Sequence, residues 1–308
     1  MDNFNNKLRI LTKSDSVYLE LFEKANLPDL IITEKNTNAD IVLAAPPMLA
    51  DCIDTFPHMK WVQSTYAGVD PLMHPNLRQN YQLTNVKGIF GQQISEYVLG
   101  YCIEYFRHFN LYRQQQQQKC WQPHAYSTLA GKKLLILGTG AIGNYLAKTA
   151  AVLNLHSIGI NRSGIPPKES AFDQTAHFEQ LDLYLADADI IVSTLPGTTQ
   201  TKNMFDQTFF SHCRNALFFN VGRGNSVNTA ALIEALEGDN ISHAFLDVFA
   251  NEPISEQCSY WHNAKVTITP HIAADSFPEQ VFEIFCDNYL KWRDGFQLDN
   301  RVDFDKGY

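Results

Sequence analysis

The chain has 308 residues, of which 45% are hydrophobic and 19% charged, and its formal net charge is −9. This composition is typical of a globular protein large enough for two domains. The acidic balance provides no general attraction for phosphate backbones, so we expect no nucleic-acid partner. No apolar run approaches the roughly 20 residues that cross a bilayer, and the six cysteines are scattered without a close pair for zinc or redox chemistry. We therefore expect a cytoplasmic protein with no membrane contact and no metal.

Short apolar runs alternate with helical patterns along the chain, which predicts an α/β fold of parallel sheets with crossover helices. The elements predicted first are a helix over 16–26 and strands over 8–11, 39–44 and 60–64. They describe a small doubly wound domain. A long helix is predicted over 92–118 as the bridge between two domains, and we interpret its glutamine run, 114–118, as a solvated helix face.

The strongest local signal is a strand, a glycine turn and a helix that follow one another between Lys132 and Leu153. Gly138 permits a tight turn, Gly140 lets the backbone approach a pyrophosphate, and Gly143 lets helix and strand pack closely. This pattern predicts a dinucleotide-binding domain. The residues predicted to hold the cofactor here are Gly138, Thr139, Gly140, Ala141, Ile142 and Gly143.

The next predicted strand, 156–160, ends in Asn161-Arg162-Ser163. An NAD enzyme would place an acidic residue here to accept hydrogen bonds from the ribose 2′-hydroxyl, and that acid is absent. Arginine, hydroxyl and amide groups are instead donors suited to a 2′-phosphate. The sequence therefore predicts NADP as the preferred cofactor, with NAD as a possible one.

Two further strands are predicted over 188–195 and 216–221, and the second runs into Gly222-Arg223-Gly224. In a doubly wound sheet the ligand lies outside the carboxyl ends of the strands, so Arg223 is predicted to face it. A guanidinium there can hold the carboxylate of a 2-keto acid and polarise the adjacent carbonyl oxygen. Asn228 is predicted to cap the helix that follows, over 229–236.

An acid and a histidine follow later in the chain, Glu252 after a strand that includes Phe245, and His271 after a strand over 266–270. Hydride transfer to a ketone leaves an alkoxide that needs a proton. A histidine kept protonated by a neighbouring carboxylate can donate that proton. We therefore predict that His271 is the general acid/base and that Glu252 orients and charges it.

In combination these motifs resemble the D-isomer-specific 2-hydroxyacid dehydrogenase family, especially its short glyoxylate and hydroxypyruvate reductases. The resemblance covers nearly the whole chain, and it depends on the order and spacing of the motifs. They are Ser64-Thr65-Tyr66-Ala67-Gly68-Val69-Asp70, Ile94-Ser95-Glu96-Tyr97-Val98-Leu99, Gly138 to Gly143, Asn220-Val221-Gly222-Arg223-Gly224, Leu246-Asp247-Val248-Phe249, Glu252-Pro253 and Thr269-Pro270-His271-Ile272-Ala273.

The resemblance implies two doubly wound parallel-sheet domains, one Rossmann-like and one flavodoxin-like, with an active-site cleft between them. A substrate-binding domain would comprise residues 1–98 and 276–308, completed by a C-terminal helix near 276–293, and a dinucleotide-binding domain residues 99–275. Subunits of the family usually pair through their cofactor domains, which implies a homodimer.

The resemblance also implies roles for individual residues. It assigns the substrate carboxylate and carbonyl to Arg223, the proton transfer to His271 and the support of that histidine to Glu252. Backbone amides of Tyr66, Ala67 and Gly68 would bind the carboxylate, and Asp247 would meet the nicotinamide carboxamide. The remaining residues implied to contact the cofactor are Leu195, Pro196, Val221, Gly222 and Ala273.

The sequence departs from the family pattern at two places. Asn228 replaces a common aspartate, although it can still cap a helix. The sequence Ala274-Asp275-Ser276-Phe277 departs from the usual small, threonine-containing sequence after the histidine, which puts the substrate size in doubt. Two alternatives stay open. One is an NAD(H)-sensing, corepressor-like binding protein, since the family that the chain resembles includes such members on the same fold, and the other is a dehydrogenase for a larger 2-hydroxy acid.

Overall fold

Two parallel sheets account for the short apolar runs of the sequence. A computed structural model describes residues 5–306 of the chain. The described residues form two compact units, one as far as Ile89 together with those from Ser276 onward, the other Phe90–Asp275. The assignment of substrate binding to one unit and cofactor binding to the other stays a prediction.

The first unit contains a five-stranded sheet in the order β2-β1-β3-β4-β5, with every neighbouring pair parallel. This is the flavodoxin-like doubly wound order. Its strands are β1 (Asn6–Leu11), β2 (Leu30–Ile32), β3 (Ile41–Ala44), β4 (Trp61–Ser64) and β5 (Gln82–Thr84). Its helices are α1 (Asp15–Ala25), α2 (Pro46–Ala50) and α9 (Pro278–Arg293).

Helix α9 supplies part of the core of this unit although it lies far along the chain from the strands. Phe285 stacks on the fully buried indole of Trp61, with ring centroids 5.2 Å apart. Phe22 of α1 meets both Phe282 and Phe285 edge to face, at 4.9 and 5.0 Å. Helices α1 and α9, which are distant in the chain, therefore cover this side of the sheet together.

The second unit contains a seven-stranded parallel sheet in the order β12-β11-β10-β9-β6-β7-β8. Its strands are β6 (Lys133–Leu137), β7 (His156–Asn161), β8 (Gln174–His177), β9 (Ile190–Ser193), β10 (Ala216–Asn220), β11 (Ile241–Leu246) and β12 (Val266–Ile268). Its helices are α3 (Gly91–Phe106), α4 (Phe109–Gln117), α5 (Ala141–Val152), α6 (Asp182–Leu185), α7 (Gln207–Ser211) and α8 (Thr229–Glu237). This is the Rossmann strand order with one further strand, and its order reverses between β6 and β9.

The predicted long helix over 92–118 is wrong, because the structure has two helices there. The helix α3 ends before Arg107, and His108 adopts a left-handed conformation with φ of +57° that no helix can continue through. The glutamine run is not wholly solvated either, since Gln115 is buried and its Nε2 lies 2.7 Å from Nε2 of His124. The predicted domain boundary at residue 98 falls inside α3, all of which belongs to the second unit.

Three features predicted from composition can be described for residues 5–306. None of the helices there has the length and apolar character needed to span a membrane. No three metal-ligating side chains gather among these residues. All six cysteines are free thiols, and Cys102 and Cys213 are buried in the core.

A partly buried histidine lies in the second sheet. His243 of β11 shares a hydrogen bond of 2.8 Å with Thr267 Oγ1, and its ring centroid lies 4.6 Å from that of Phe245. Burial lowers the pKa of His243 from 6.5 to about 4. Between these two values the unfolded chain binds a proton that the folded chain does not, so stability is present above pH 6.5 and is lost as the pH falls toward 4.

We predict that replacing this histidine weakens the acid sensitivity of the fold. His243→Gln should lose less thermal stability than the unaltered protein between pH 7 and pH 5, because the side chain that takes up the proton on unfolding is absent. The measurement is the unfolding midpoint at both pH values, with the exposed His156→Gln as the control. An identical loss in His243→Gln and in the unaltered protein would contradict the prediction.

Candidate active site

The turn between β6 and α5 lies at the point where the strand order of the second sheet reverses. Gly138 follows β6 with φ of +108°, and a Cβ there would lie 2.5 Å from Thr194 Oγ1. A Cβ at Gly143 would lie 2.0 Å from the carbonyl oxygen of Gly138. Only glycine fits either position, one for its backbone conformation and both for close packing.

Gly140 differs from these two glycines because the space around it is open. It precedes the first residue of α5, its backbone is extended, and a Cβ would meet no atom within 4 Å. The helix begins at Ala141, so Ala141 and Ile142 belong to its first turn. The unbonded amides of that turn and the open space beside Gly140 fit a pyrophosphate group.

The loop after β7 is organised by Asn161. Its Nδ2 donates to Thr139 Oγ1 at 2.9 Å and to the Ile165 carbonyl at 2.8 Å, while its Oδ1 accepts from the amides of Ser163 and Gly164 at 3.0 and 2.7 Å. The amide that the sequence offered as a phosphate donor therefore shapes the loop. Arg162 is exposed beside it, with Nη1 3.3 Å from Gln200 Oε1, and contributes the positive charge.

The turn that carries Arg223 is wedged between two neighbouring loops at the same sheet edge. A Cβ at Gly222 would lie 2.5 Å from the carbonyl oxygen of Leu195, after β9. A Cβ at Gly224 would lie 1.9 Å from the backbone of Phe249, after β11. These contacts fix the backbone on both sides of the half-buried Arg223, whose Nη1 donates to the Gly222 carbonyl at 2.8 Å.

Asn220, the last residue of β10, stabilises this turn through hydrogen bonds to its backbone. Its buried side chain donates to the Arg223 carbonyl at 2.9 Å and accepts from the Gly222 amide at 3.2 Å. We assigned this residue no role from the sequence, although an asparagine directly before such a turn is a recognisable signal. The segment at the end of β9, beside this turn, is fixed by two hydrogen bonds. The Val221 amide donates to the Ser193 carbonyl at 3.1 Å, and Thr201 Oγ1 donates to the Pro196 carbonyl at 2.7 Å.

The predicted acid and histidine are in direct contact. His271 Nδ1 lies 2.8 Å from Glu252 Oε2, and the other carboxylate oxygen accepts from the Phe249 amide at 2.8 Å. Both side chains reach solvent, with 52% of His271 and 35% of Glu252 exposed. Because Nδ1 is hydrogen-bonded to the carboxylate, Nε2 is the ring nitrogen that can exchange a proton with a substrate.

Hydrogen bonds to Asp247 fix the backbone of the segment that carries His271. Asp247 is 2% exposed, and its carboxylate accepts from Thr269 Oγ1 at 2.6 Å, from the Ile272 amide at 2.8 Å and from the Ala273 amide at 3.0 Å. Its own carbonyl accepts from the His271 amide at 2.9 Å. The nicotinamide contact that the resemblance implies for Asp247 stays a prediction.

In the first unit, the loop after β4 has its backbone fixed by two side chains. Ser64 Oγ accepts from the Tyr66 amide and donates to the Tyr66 carbonyl, both at 2.9 Å. Asn85 Nδ2 donates to the Ala67 carbonyl at 2.8 Å. Of the three amides predicted to bind a carboxylate, that of Tyr66 thus has an internal partner, and those of Ala67 and Gly68 stay predicted donors.

Comparison with known proteins identifies the family. Residues 99–273 match the model of the D-isomer specific 2-hydroxyacid dehydrogenase, NAD binding domain. The chain belongs to this family. This match takes in the glycine turn, Arg223, Glu252 and His271, and it confirms the resemblance, the two-domain α/β fold class and an NAD(P)-dependent 2-hydroxyacid dehydrogenase as the enzyme class.

Several relatives of this dehydrogenase cover most of its length. It is 31% identical over 284 residues to "Glyoxylate/hydroxypyruvate reductase A" of Yersinia enterocolitica, covering 88% of each chain. A family member from Aeromonas salmonicida has a solved structure with 40% identity and a TM-score of 0.92, over 97% of this chain and 99% of that one. The NADPH-dependent glyoxylate/hydroxypyruvate reductase of Sinorhizobium meliloti, solved with NADP and sulfate, is 25% identical with a TM-score of 0.86, over 99% and 100%.

We predict that two glycines of the dinucleotide turn of this dehydrogenase respond differently to alanine. Gly143→Ala should lower the thermal midpoint by several degrees because its Cβ overlaps the Gly138 carbonyl. Gly140→Ala should leave the midpoint unchanged but weaken dinucleotide binding by about tenfold or more, because its Cβ occupies the space of the pyrophosphate. Calorimetry and fluorescence titration separate the two effects, and unchanged dinucleotide affinity in Gly140→Ala would contradict the placement.

Proposed function

We propose that this dehydrogenase reduces a small 2-keto acid, of the glyoxylate or hydroxypyruvate type, to the D-2-hydroxy acid with NADPH. The observation that carries the proposal is the 2.8 Å contact between His271 and Glu252. These two residues come after strands β12 and β11, and Arg223 comes after the neighbouring strand β10, so all three follow carboxyl ends at one edge of the sheet. The name of the Yersinia enterocolitica relative, glyoxylate/hydroxypyruvate reductase A, supports the same substrate class.

The described residues fit this reaction step by step. A nicotinamide dinucleotide, when bound, supplies a hydride to C2 of the keto acid. Arg223 holds the carboxylate with its guanidinium and stabilises the negative charge that develops on the carbonyl oxygen. His271 delivers a proton from Nε2 to that oxygen, which completes the hydroxyl group, and Glu252 holds the ring at Nδ1 and stabilises its positive charge before transfer.

NADPH is favoured over NADH by the loop after β7. No acidic side chain follows the strand, and the exposed guanidinium of Arg162 is a cation that can pair with a 2′-phosphate. The reductase of Sinorhizobium meliloti is NADPH-dependent by name and was solved with NADP, which supports the preference. NAD remains a possible cofactor, because the glycine turn holds only the pyrophosphate that both share.

We predict that Arg162→Ala separates the two cofactors. The KM for NADPH should rise about tenfold or more, because a charge-assisted contact to phosphate is lost, and the KM for NADH should stay nearly unchanged. Lys148→Ala, which removes an exposed charge from α5 in the same unit, is the matched control. Equal weakening of both cofactors in Arg162→Ala would contradict the phosphate contact.

We predict that Arg223→Ala and His271→Asn fail differently. Arg223→Ala should raise the KM for the keto acid and also lower kcat, because the guanidinium acts in both ground and transition states. His271→Asn should lower kcat roughly a hundredfold or more and leave NADPH affinity unchanged. The exposed His262→Asn is the control.

A panel of 2-keto acids with both cofactors provides the measurement for these variants. Full reductase activity in His271→Asn would overturn the proton-transfer role. An unaltered protein that binds NADPH but reduces none of the acids would favour the corepressor-like alternative, and a preference for aromatic or phosphorylated acids would favour the larger-substrate alternative.

We further propose that the enzyme acts as a homodimer in the cytoplasm. The second unit exposes several large apolar side chains along α4 and the segment after it, among them Trp121, which is 99% exposed, and Tyr126 at 57%. A second copy of the chain would remove this surface from water, which is favourable in proportion to the apolar area covered.

A further inference from the structure

We propose that helix α3 positions the proton donor, with Tyr97 and Gln93 holding the turn that carries His271 on either side of the histidine. This inference rests on the proposed function, in which His271 transfers the proton. Neither Tyr97 nor Gln93 is bonded to His271 itself, so both are positioning residues. They lie four residues apart in the helix and therefore on the same face.

Tyr97 acts on the N-terminal side of the turn. Its hydroxyl lies 2.7 Å from Thr269 Oγ1, which in turn lies 2.6 Å from Asp247 Oδ1. The carboxylate can only accept, so the single threonine hydrogen goes to Asp247 and the tyrosine must donate to the threonine. Burial raises the pKa of the Tyr97 phenol, which keeps that donor protonated. The result is a directed chain of hydrogen bonds in which each bond polarises the next.

Gln93 acts on the C-terminal side. Its Oε1 accepts from the Asp275 amide at 2.8 Å, and its Nε2 donates to the Asp275 carbonyl at 3.0 Å. One side-chain amide thus satisfies both backbone groups of one residue, as a neighbouring β-strand would. Thr269 and Asp275 bracket the turn, so α3 fixes both of its ends.

The turn needs this support because its backbone is strained at the histidine. His271 has φ of +55°, a left-handed conformation that a residue with a Cβ adopts at a cost and keeps only where its surroundings determine it. A histidine displaced by even 1 Å would transfer its proton much more slowly. Contacts that fix the backbone around His271 therefore act on the rate of proton transfer.

Tyr97→Phe tests the inference, with Tyr101→Phe as the matched control. Tyr101 lies one turn along α3, its ring contacts that of Tyr97, and its hydroxyl makes no hydrogen bond to the described residues. Tyr97→Phe should lower kcat for the keto acid about fivefold, the effect of losing one hydrogen bond. The KM values for keto acid and NADPH should change less than twofold, and the amides of Ile272 and Ala273 should exchange hydrogen faster. Tyr101→Phe should change none of these.

A second comparison uses Thr269, through which the tyrosine acts. In a Thr269→Val background, Tyr97→Phe should have no further effect on kcat, because the chain is already broken. In a Thr269→Ser background, which keeps the hydroxyl, the fivefold effect should return. Gln93→Leu should lower kcat as Tyr97→Phe does, whereas Gln92→Leu, which loses only a bond to Glu96 within the helix, should not.

The outcomes separate this inference from the proposed function. A Tyr97→Phe variant that matches Tyr101→Phe in kcat and hydrogen exchange, or that lowers only the thermal midpoint, overturns the inference. The proposed function then still stands if His271→Asn lowers kcat as predicted. Full activity in His271→Asn overturns the proposed function instead. In that case hydrogen exchange at Ile272 and Ala273, measured without substrate or cofactor, still reports whether α3 holds the turn.

Discussion

All seven strands of the second sheet run in the same direction, so the turns that leave their carboxyl ends emerge at one edge. Adjacent strands lie about 4.8 Å apart, which forces the backbones of successive turns into contact. The Arg223 turn meets this constraint with a glycine on each side, one against Leu195 and the other against Phe249. Close approach of backbone to backbone is thus the condition under which residues distant in the chain form one site.

The two acids that follow β11 illustrate how environment divides the work at this edge. Asp247 is buried and its carboxylate satisfies three donors of the chain, so it determines a backbone conformation. Glu252 is partly exposed and gives one oxygen to the Phe249 amide and the other to His271. The same functional group therefore serves as scaffold in one place and as partner of a reactive side chain in the other.

Features that depend on local chemistry could be predicted from the sequence. The glycine turn has a steric requirement at fixed spacing, and the cap at Asn228 is a contact within four residues, its side chain accepting from the Ala231 amide. The short strands β2, β5 and β8 escaped prediction because three or four residues carry too little periodicity. The helix break at His108 has neither proline nor glycine to announce it.

Contacts over longer sequence distances could not be predicted either. The bonds of Asp247 to Ile272 and Ala273 span 25 and 26 positions, and no spacing rule connects them. Asn161 was assigned a donor role from its residue type, whereas both the Nδ2 and the Oδ1 of its side chain are hydrogen-bonded within the chain. Residue type predicted which groups are present, and only the fold shows which of them are already occupied.

The placement of α9 affects the order in which the two units can form during synthesis. The second unit is one continuous stretch, Phe90–Asp275, so all its elements are synthesised before α9. The first unit lacks Phe282 and Phe285 against Phe22 and Trp61 until residues 278–293 have emerged. One apolar face of its sheet therefore stays uncovered while nearly 200 later residues are translated. Translation proceeds at about 5–20 residues per second. During this interval chaperones can bind the uncovered face.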